Sequence, residues 1–155
     1  MGAQVRVGRR DHEGEAAMKE SVSSEEQVPR TSNFSDLLGI EEAGAGPERV
    51  VNRMPVSQRL ANRNGVLHGG ALMSLVDHTA GTLALLRCPP KRTTVTVEGK
   101  TNFFRSARVG DTVTAVATPL HVGRTTLVVL VTTTRGDGKE LSASMQTQLF
   151  VEWTG

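Results

Sequence analysis

The sequence predicts an α+β fold in which one long, buried helix is held inside a curved antiparallel sheet. Residues 69–86 are apolar or small on nearly every side, which is typical of a central helix rather than a surface helix. After residue 91 the chain alternates with strand character, and its strands are separated by short turns. Short connections make successive strands antiparallel neighbours. With one strand before the helix, we expect a sheet of five strands.

The flanking residues suggest where each element begins and ends. A Ser-Asn pair at residues 32 and 33 can cap a short helix over residues 34–40. A Gly- and Pro-containing turn at residues 44–47 leads into the first strand, and the Cys-Pro-Pro sequence at residues 88–90 ends the central helix. The expected strands cover residues 48–56, 93–104, 111–121, 124–135 and 140–153.

Composition limits the possible functions. Residues 1–32 are polar, charge-mixed and aperiodic, so we expect a disordered or solvated leader before one domain over residues 33–155. The formal net charge is +2 and only 3% of residues are aromatic. Basic residues are not clustered and stacking platforms are few, so the sequence does not favour nucleic-acid binding.

The cysteine content and the lack of a recognisable signal peptide or transmembrane segment lead us to expect a cytoplasmic protein. The single cysteine, Cys88, excludes an intramolecular disulfide and fits a reducing compartment, where we interpret it as a bystander thiol. We see no apolar signal-peptide segment near the N-terminus. The apolar run within residues 72–86 is slightly short for a bilayer and contains Asp77, which argues against a transmembrane helix.

The most informative stretch is residues 62–81, NRNGVLHGGALMSLVDHTAG. Asp77 is the one fully charged residue between His68 and Arg87, so we expect a carboxylate buried among apolar side chains. Such an acid is costly unless it is paired or takes part in chemistry. The Gly-Gly pair before it can present free backbone N–H groups at a helix N-terminus. This combination suits acyl transfer, although a structural acid paired with His78 or a backbone donor remains an alternative.

The spacing in this stretch resembles a known family. The pattern N-x-x-G-x-x-H-G-G, followed by an acid nine residues after the histidine, is similar to that of the phenylacetate-pathway (PaaI-type) acyl-CoA thioesterases. The segments FSDLLGI, NFFRSARVGD and HVGRTTLVVLV continue the resemblance over residues 33–153. It implies the hotdog fold and hydrolysis of an acyl-CoA to free acid and coenzyme A. The matching positions are Asn62, Gly65, His68, Gly69, Gly70 and Asp77.

The resemblance also implies a role for each catalytic candidate. Asp77 would act as general base on water or as nucleophile on the thioester, and the Gly69 N–H would polarise the carbonyl. Asn62 would position the water or the carbonyl, facing the acid of a neighbouring subunit. Thr96 would place a hydroxyl near the acid. His68 would order the loop or the thioester, and capping the helix is a compatible alternative.

Coenzyme A enters as part of the substrate, and neither a separate cofactor nor a metal is expected. Glycine lets a backbone approach phosphate closely, and arginine supplies forked donors. Arg124 could instead merely close a hairpin. The residues that the resemblance assigns to coenzyme A are Val122, Gly123, Arg124 and Thr125.

The strand over residues 124–135 predicts self-association. Leu127, Val129 and Val131 should face one side of the sheet and Val128 and Leu130 the other, so both faces are apolar and only one of them can cover the central helix. We therefore expect a dimer with a continuous sheet, and a dimer of dimers.

A non-catalytic acyl-CoA sensor is the main alternative to a thioesterase. A hotdog dehydratase needs a His and acid arrangement that we do not find. The acyl group stays open between aryl-acetyl, benzoyl, naphthoyl and aliphatic chains.

Overall fold

The computed structural model describes residues 32–152. Residues 1–31 of the predicted leader and the last residue of the predicted final strand lie outside these residues, whereas Ser32 caps the first helix. The described chain forms a short helix, a long helix and six strands. In chain order they are α1 (Asn33–Leu38), β1 (Glu41–Gly46), β2 (Arg49–Pro55), α2 (Gly69–Leu86), β3 (Arg92–Phe103), β4 (Thr112–Val122), β5 (Thr126–Arg135) and β6 (Glu140–Glu152). A single 3-10 turn, Gln58–Leu60, precedes α2.

The strands form one antiparallel sheet in the order β1-β2-β4-β5-β6-β3. The helix α2 packs against all six strands, as predicted for a central helix. Its buried side chains meet alternate residues of the sheet, and the hydrophobic core lies between the two. The predicted alternation of β5 is confirmed, and the face that packs on the helix is that of Leu127, Val129 and Val131, which are fully buried.

The prediction of five strands is wrong by one, because β1 pairs with β2 as an additional edge strand. Its sequence, EEAGAG, has no apolar alternation, and nearly all of it is exposed. A strand that buries neither face leaves no period-2 signal. The expected turn at residues 44–47 is therefore shorter, and only Pro47 and Glu48 connect β1 to β2.

Strand β3 is the other edge of the sheet and is largely uncovered. Most of its twelve residues are exposed, including Val95 and Val97. A β-bulge interrupts its pairing with β6 between Thr96 and Glu98. A long exposed edge with apolar side chains is a template for pairing with another chain.

Candidate active site

Asp77 lies on an open stripe of α2. Gly70, Met73 and Asp77 follow one another at spacings of three and four residues and are exposed, while Leu75 and Val76 on the other side are buried. The expectation that Asp77 is buried is therefore wrong for a single chain. The stripe looks apolar in the sequence because its other residues are small or uncharged, although nothing within residues 32–152 covers it.

The Asp77 carboxylate is held by a chain of three hydrogen bonds. The Thr96 hydroxyl donates to Asp77 Oδ1 at 2.9 Å. Gln148 Nε2 donates to Thr96 Oγ1 at 2.9 Å and to Gln146 Oε1 at 3.1 Å. Thr96 on β3 lies opposite Gln148 on β6, and the two glutamines, two residues apart on β6, point to the same face. Sheet pairing thus connects the exposed acid to two buried amides.

Sequence reasoning missed the two glutamines. Gln148 is 1% exposed and Gln146 is 7% exposed. The available signal was two polar residues at alternate positions of a predicted strand, on the face that the helix should cover. Buried amides need hydrogen-bond partners, so such a pair indicates a polar network within the core.

A groove of about 440 Å³ opens beside Asp77. Apolar side chains from both helices line part of it, and the polar groups of Thr96, Gln146 and neighbouring serines line the rest. Burial lowers the pKa of His78 in the groove wall, while the charges of Asp77, Glu42 and Asp36 act in the opposite direction. The lining residues are Ser32, Phe34, Ser35, Ile40, Met73, Ser74, Asp77, His78, Thr96, Gly99 and Gln146.

The remaining catalytic candidates gather at the start of α2. Asn62 Oδ1 accepts hydrogen bonds from the backbone N–H groups of Asn64 and Val66, at 2.8 and 3.5 Å. His68 is the N-cap residue of α2, and its Nδ1 accepts from the Gly70 N–H at 2.9 Å. A Cβ at Gly70 would lie 3.0 Å from that nitrogen, so glycine makes room for the cap.

This cap leaves a neighbouring donor available. No acceptor for the Gly69 N–H is present within residues 32–152. A second cavity, of about 320 Å³, is lined by Asn62, Arg63, Asn64, His68 and Gly69. The observed contact of His68 is the helix cap, which was one of the two roles considered for it. A catalytic role for His68 stays a prediction.

A single chain does not bring the two groups of candidates together. Gly69 and Asp77 are eight residues apart on one helix, which corresponds to about 12 Å along its axis. Asp77 and Thr96 line one cavity, whereas Asn62, His68 and Gly69 line another. One thioester carbonyl cannot contact both groups within the same subunit.

The turn between β4 and β5 carries the predicted coenzyme A residues. The Gly123 N–H donates to the Thr126 carbonyl at 2.8 Å, and a Cβ at Gly123 would lie 3.0 to 3.2 Å from atoms of Thr126 and His121. Glycine is thus needed for a tight turn, and the exposed Arg124 projects from it. The turn lies just beyond a row of paired residues formed by Leu127, Gln148 and Thr96. Two strand spacings, about 10 Å, separate β5 from β3 in this row.

Residues 32–152 contain neither a metal-binding cluster nor a membrane-spanning helix. No group of three His, Cys, Asp or Glu side chains there is arranged to hold a metal ion. No helix in the same part of the chain is long and apolar enough to cross a membrane. Cys88 is partly buried, and burial raises the pKa of its thiol, which agrees with a bystander role.

Residues 64–142 match the sequence model of the thioesterase superfamily. Human acyl-coenzyme A thioesterase 13 is 30% identical over 123 residues, which cover 78% of this chain and 87% of that protein. A thioesterase structure from Haemophilus influenzae has a TM-score of 0.75 at 30% identity and covers 80% of this chain and 87% of its own. The Escherichia coli PaaI protein of the phenylacetic acid degradation operon, at 24% identity and a TM-score of 0.69, shares the fold over 74% of this chain and 86% of its own.

Proposed function

Because the chain belongs to the thioesterase superfamily and has its PaaI-type hotdog fold, we propose that it hydrolyses an acyl-CoA thioester to a free acid and coenzyme A. One observation carries the proposal: Asp77 is exposed in a groove and its carboxylate is held by the Thr96 hydroxyl. The name of the human relative, an acyl-coenzyme A thioesterase, supports coenzyme A as the leaving group.

The proposed reaction uses Asp77 as the base. Its carboxylate takes a proton from water while the water oxygen attacks the thioester carbonyl carbon. The oxyanion that forms is stabilised by the Gly69 N–H at the positive end of α2. The carbon–sulfur bond then breaks, and the coenzyme A thiolate takes up a proton. Direct attack by the carboxylate, giving a mixed anhydride that water then hydrolyses, would use the same contacts.

The site requires two copies of the chain. Asp77 and Thr96 come from one subunit, and Asn62, His68 and Gly69 come from its partner, since one subunit keeps these groups about two helical turns apart. Strand β3 supports this arrangement, because its exposed edge can extend the sheet into a second copy. The half-buried Val128 and Leu130 and the exposed Met145 on the outer sheet face support a further pairing of dimers.

The β4–β5 turn would hold the coenzyme A phosphates. Val122, Gly123, Arg124 and Thr125 form an exposed loop near the row that contains Thr96, so a ligand can extend from Asp77 to this turn. Arg124 supplies the charge, and the missing side chain at Gly123 allows close backbone approach.

The direct test is Asp77→Asn, assayed by thiol release on a panel of aryl and aliphatic acyl-CoAs. We expect kcat to fall about a hundredfold to ten-thousandfold, with the fold and acyl-CoA binding retained. Asp36→Asn, which changes an exposed helix carboxylate outside the groove lining, is the matched control. Near-wild-type turnover of Asp77→Asn would refute the mechanism. Tight binding without turnover by the unmutated protein would identify a sensor instead of an enzyme.

Mixing two inactive variants tests the shared site. Asp77→Asn and Asn62→Ala should each be inactive alone. After the subunits are unfolded together and refolded, half of the randomly assembled dimers contain one of each, and each such dimer has one intact site. About a quarter of wild-type activity should return. No recovery, with mixed dimers demonstrated by mass spectrometry, would show that the site lies within one subunit.

A further inference from the structure

The Thr96 hydroxyl can donate to one partner at a time, because it carries a single proton. An ionised carboxylate accepts hydrogen bonds and donates none, so the bond between Thr96 and Asp77 uses this proton. Thr96 Oγ1 is then the acceptor toward Gln148 Nε2, which lies 2.9 Å away. If the Gln148 amide were turned by half a rotation, its oxygen would take this position and compete with Asp77 for the proton. The orientation of Gln148 therefore decides whether Asp77 keeps its donor.

Gln146 and a bulge in β3 fix that orientation. Gln148 Nε2 also donates to Gln146 Oε1 at 3.1 Å, so one amide cannot turn without the other. The bulge between Thr96 and Glu98 shifts the register of β3 and places Gly99 opposite Gln146. A Cβ at Gly99 would lie 3.3 Å from Gln146 Cγ, so the missing side chain gives Gln146 its room. Gln148 is almost completely buried, and water therefore offers it no other partner.

Thr96 anchors one oxygen of the acid and leaves the other free. Within residues 32–152, Thr96 is the one hydrogen-bond donor to Asp77, and it bonds Oδ1. The terminal torsion of an aspartate has no sharply preferred angle, so an anchored Oδ1 is what fixes the direction of Oδ2. A base must lie within hydrogen-bond reach of the water that it deprotonates, and a misplacement of about 1 Å can cost about a hundredfold in rate.

We infer that Gln148 is a positioning residue of the proposed hydrolysis: its amide N–H directs the Thr96 proton to Asp77 Oδ1, and this bond aims Oδ2 at the attacking water. The inference rests on the proposed function of Asp77 as the base. Gln148 is 1% exposed and does not line the groove, so it acts without touching the substrate. Its loss should therefore lower kcat and leave KM unchanged. A glutamine that merely fills the core would change stability and leave the kcat of the folded protein as it is.

The test measures kcat and KM of Gln148→Met, which keeps the length of the side chain and removes the donor. Thiol release is followed with phenylacetyl-CoA, benzoyl-CoA and hexanoyl-CoA, on samples shown by circular dichroism to be folded. We expect kcat to fall about fivefold to thirtyfold, the effect of one misdirected hydrogen bond. Thr133→Val is the matched control, because it also removes one buried hydrogen bond, shared with Ser142 at 2.7 Å. Its kcat should be that of the unmutated protein.

A double-mutant cycle with Thr96→Val tests whether Gln148 acts through the hydroxyl. Without the hydroxyl no proton remains to be directed, so Gln148→Met should have no further effect on kcat in the Thr96→Val protein. Two independent effects would multiply instead. If Gln148→Met does not fold, Gln146→Met takes its place in the cycle, because it removes the oxygen that fixes the Gln148 amide. It too should lower kcat only while the Thr96 hydroxyl is present.

The outcomes separate this role of Gln148 from the proposed function. No hydrolysis of any acyl-CoA by the unmutated protein would overturn the proposed function, and the role of Gln148 with it. Hydrolysis that is lost in Asp77→Asn but unchanged in folded Gln148→Met would overturn the role of Gln148 alone. A fall in kcat that multiplies with that of Thr96→Val, or that appears equally in Thr133→Val, would also overturn it, because the effect would then not pass through the hydroxyl.

Discussion

Replacing Thr96 with valine should destabilise the protein mainly because the buried Gln148 loses a hydrogen-bond partner. The change keeps the shape of the side chain but removes the hydroxyl that bonds both Asp77 and Gln148. Asp77 is exposed, so water replaces its lost bond at little cost. Gln148 is 1% exposed, and its amide loses one of two partners in a place that water does not reach. An unsatisfied buried donor costs about 1–3 kcal/mol, so the buried end of the chain dominates.

We therefore expect Thr96→Val to lower the free energy of unfolding by about 2 kcal/mol and the Tm by roughly 6–8 °C. Thr96→Ser keeps the hydroxyl and should stay within about 1 kcal/mol of wild type. Urea unfolding at one fixed protein concentration measures both, because the stability of the proposed dimer would depend on concentration. If Thr96→Val were as stable as Thr96→Ser, the hydrogen-bond chain would contribute nothing and the reasoning would fail.

Two other residues lead to predictions on stability. Asn52 is fully buried and its Oδ1 has no partner in the part of the chain that the structure describes, while its Nδ2 donates to Thr79. Asn52→Leu, of similar shape, should raise the unfolding free energy by about 1 kcal/mol in urea titrations, and a lower unfolding free energy would contradict this. Burial lowers the pKa of His78 below its ordinary 6.5. As pH falls through 6.5 the unfolded chain binds this proton first, so stability declines toward acid. His78→Gln should show a smaller loss between pH 7.5 and 5.5; an identical slope would exclude His78 as the cause.

The fold was largely predictable because its main signals are local. The bounds of α2 are those predicted, since a Gly-Gly pair begins the helix and a Cys-Pro-Pro sequence follows it. Strand β1 was missed because it buries no face and so has no periodic pattern. Its pairing with β2, rather than its own sequence, makes it a strand.

The site was predictable only in part, because its geometry depends on distant pairing. Motif spacing identified Asp77, and the family resemblance identified Thr96. The role of Gln148 depends on its register with Thr96, which lies 52 residues away in the sequence. The exposure of Asp77 was missed for a related reason, since apolar character does not show which side of a helix the same chain will cover.

The position of Asp77 on the open stripe restricts the length of α2. One residue inserted between Gly69 and Asp77 would turn the carboxylate by about 100° around the helix axis, toward the side where Leu75 and Val76 are packed. The acid would leave the groove and enter the core. Substitutions along the stripe change what the groove accommodates, whereas an insertion or deletion within this segment removes the acid from it. A length change that keeps the acid in the groove must therefore lie outside residues 69–77.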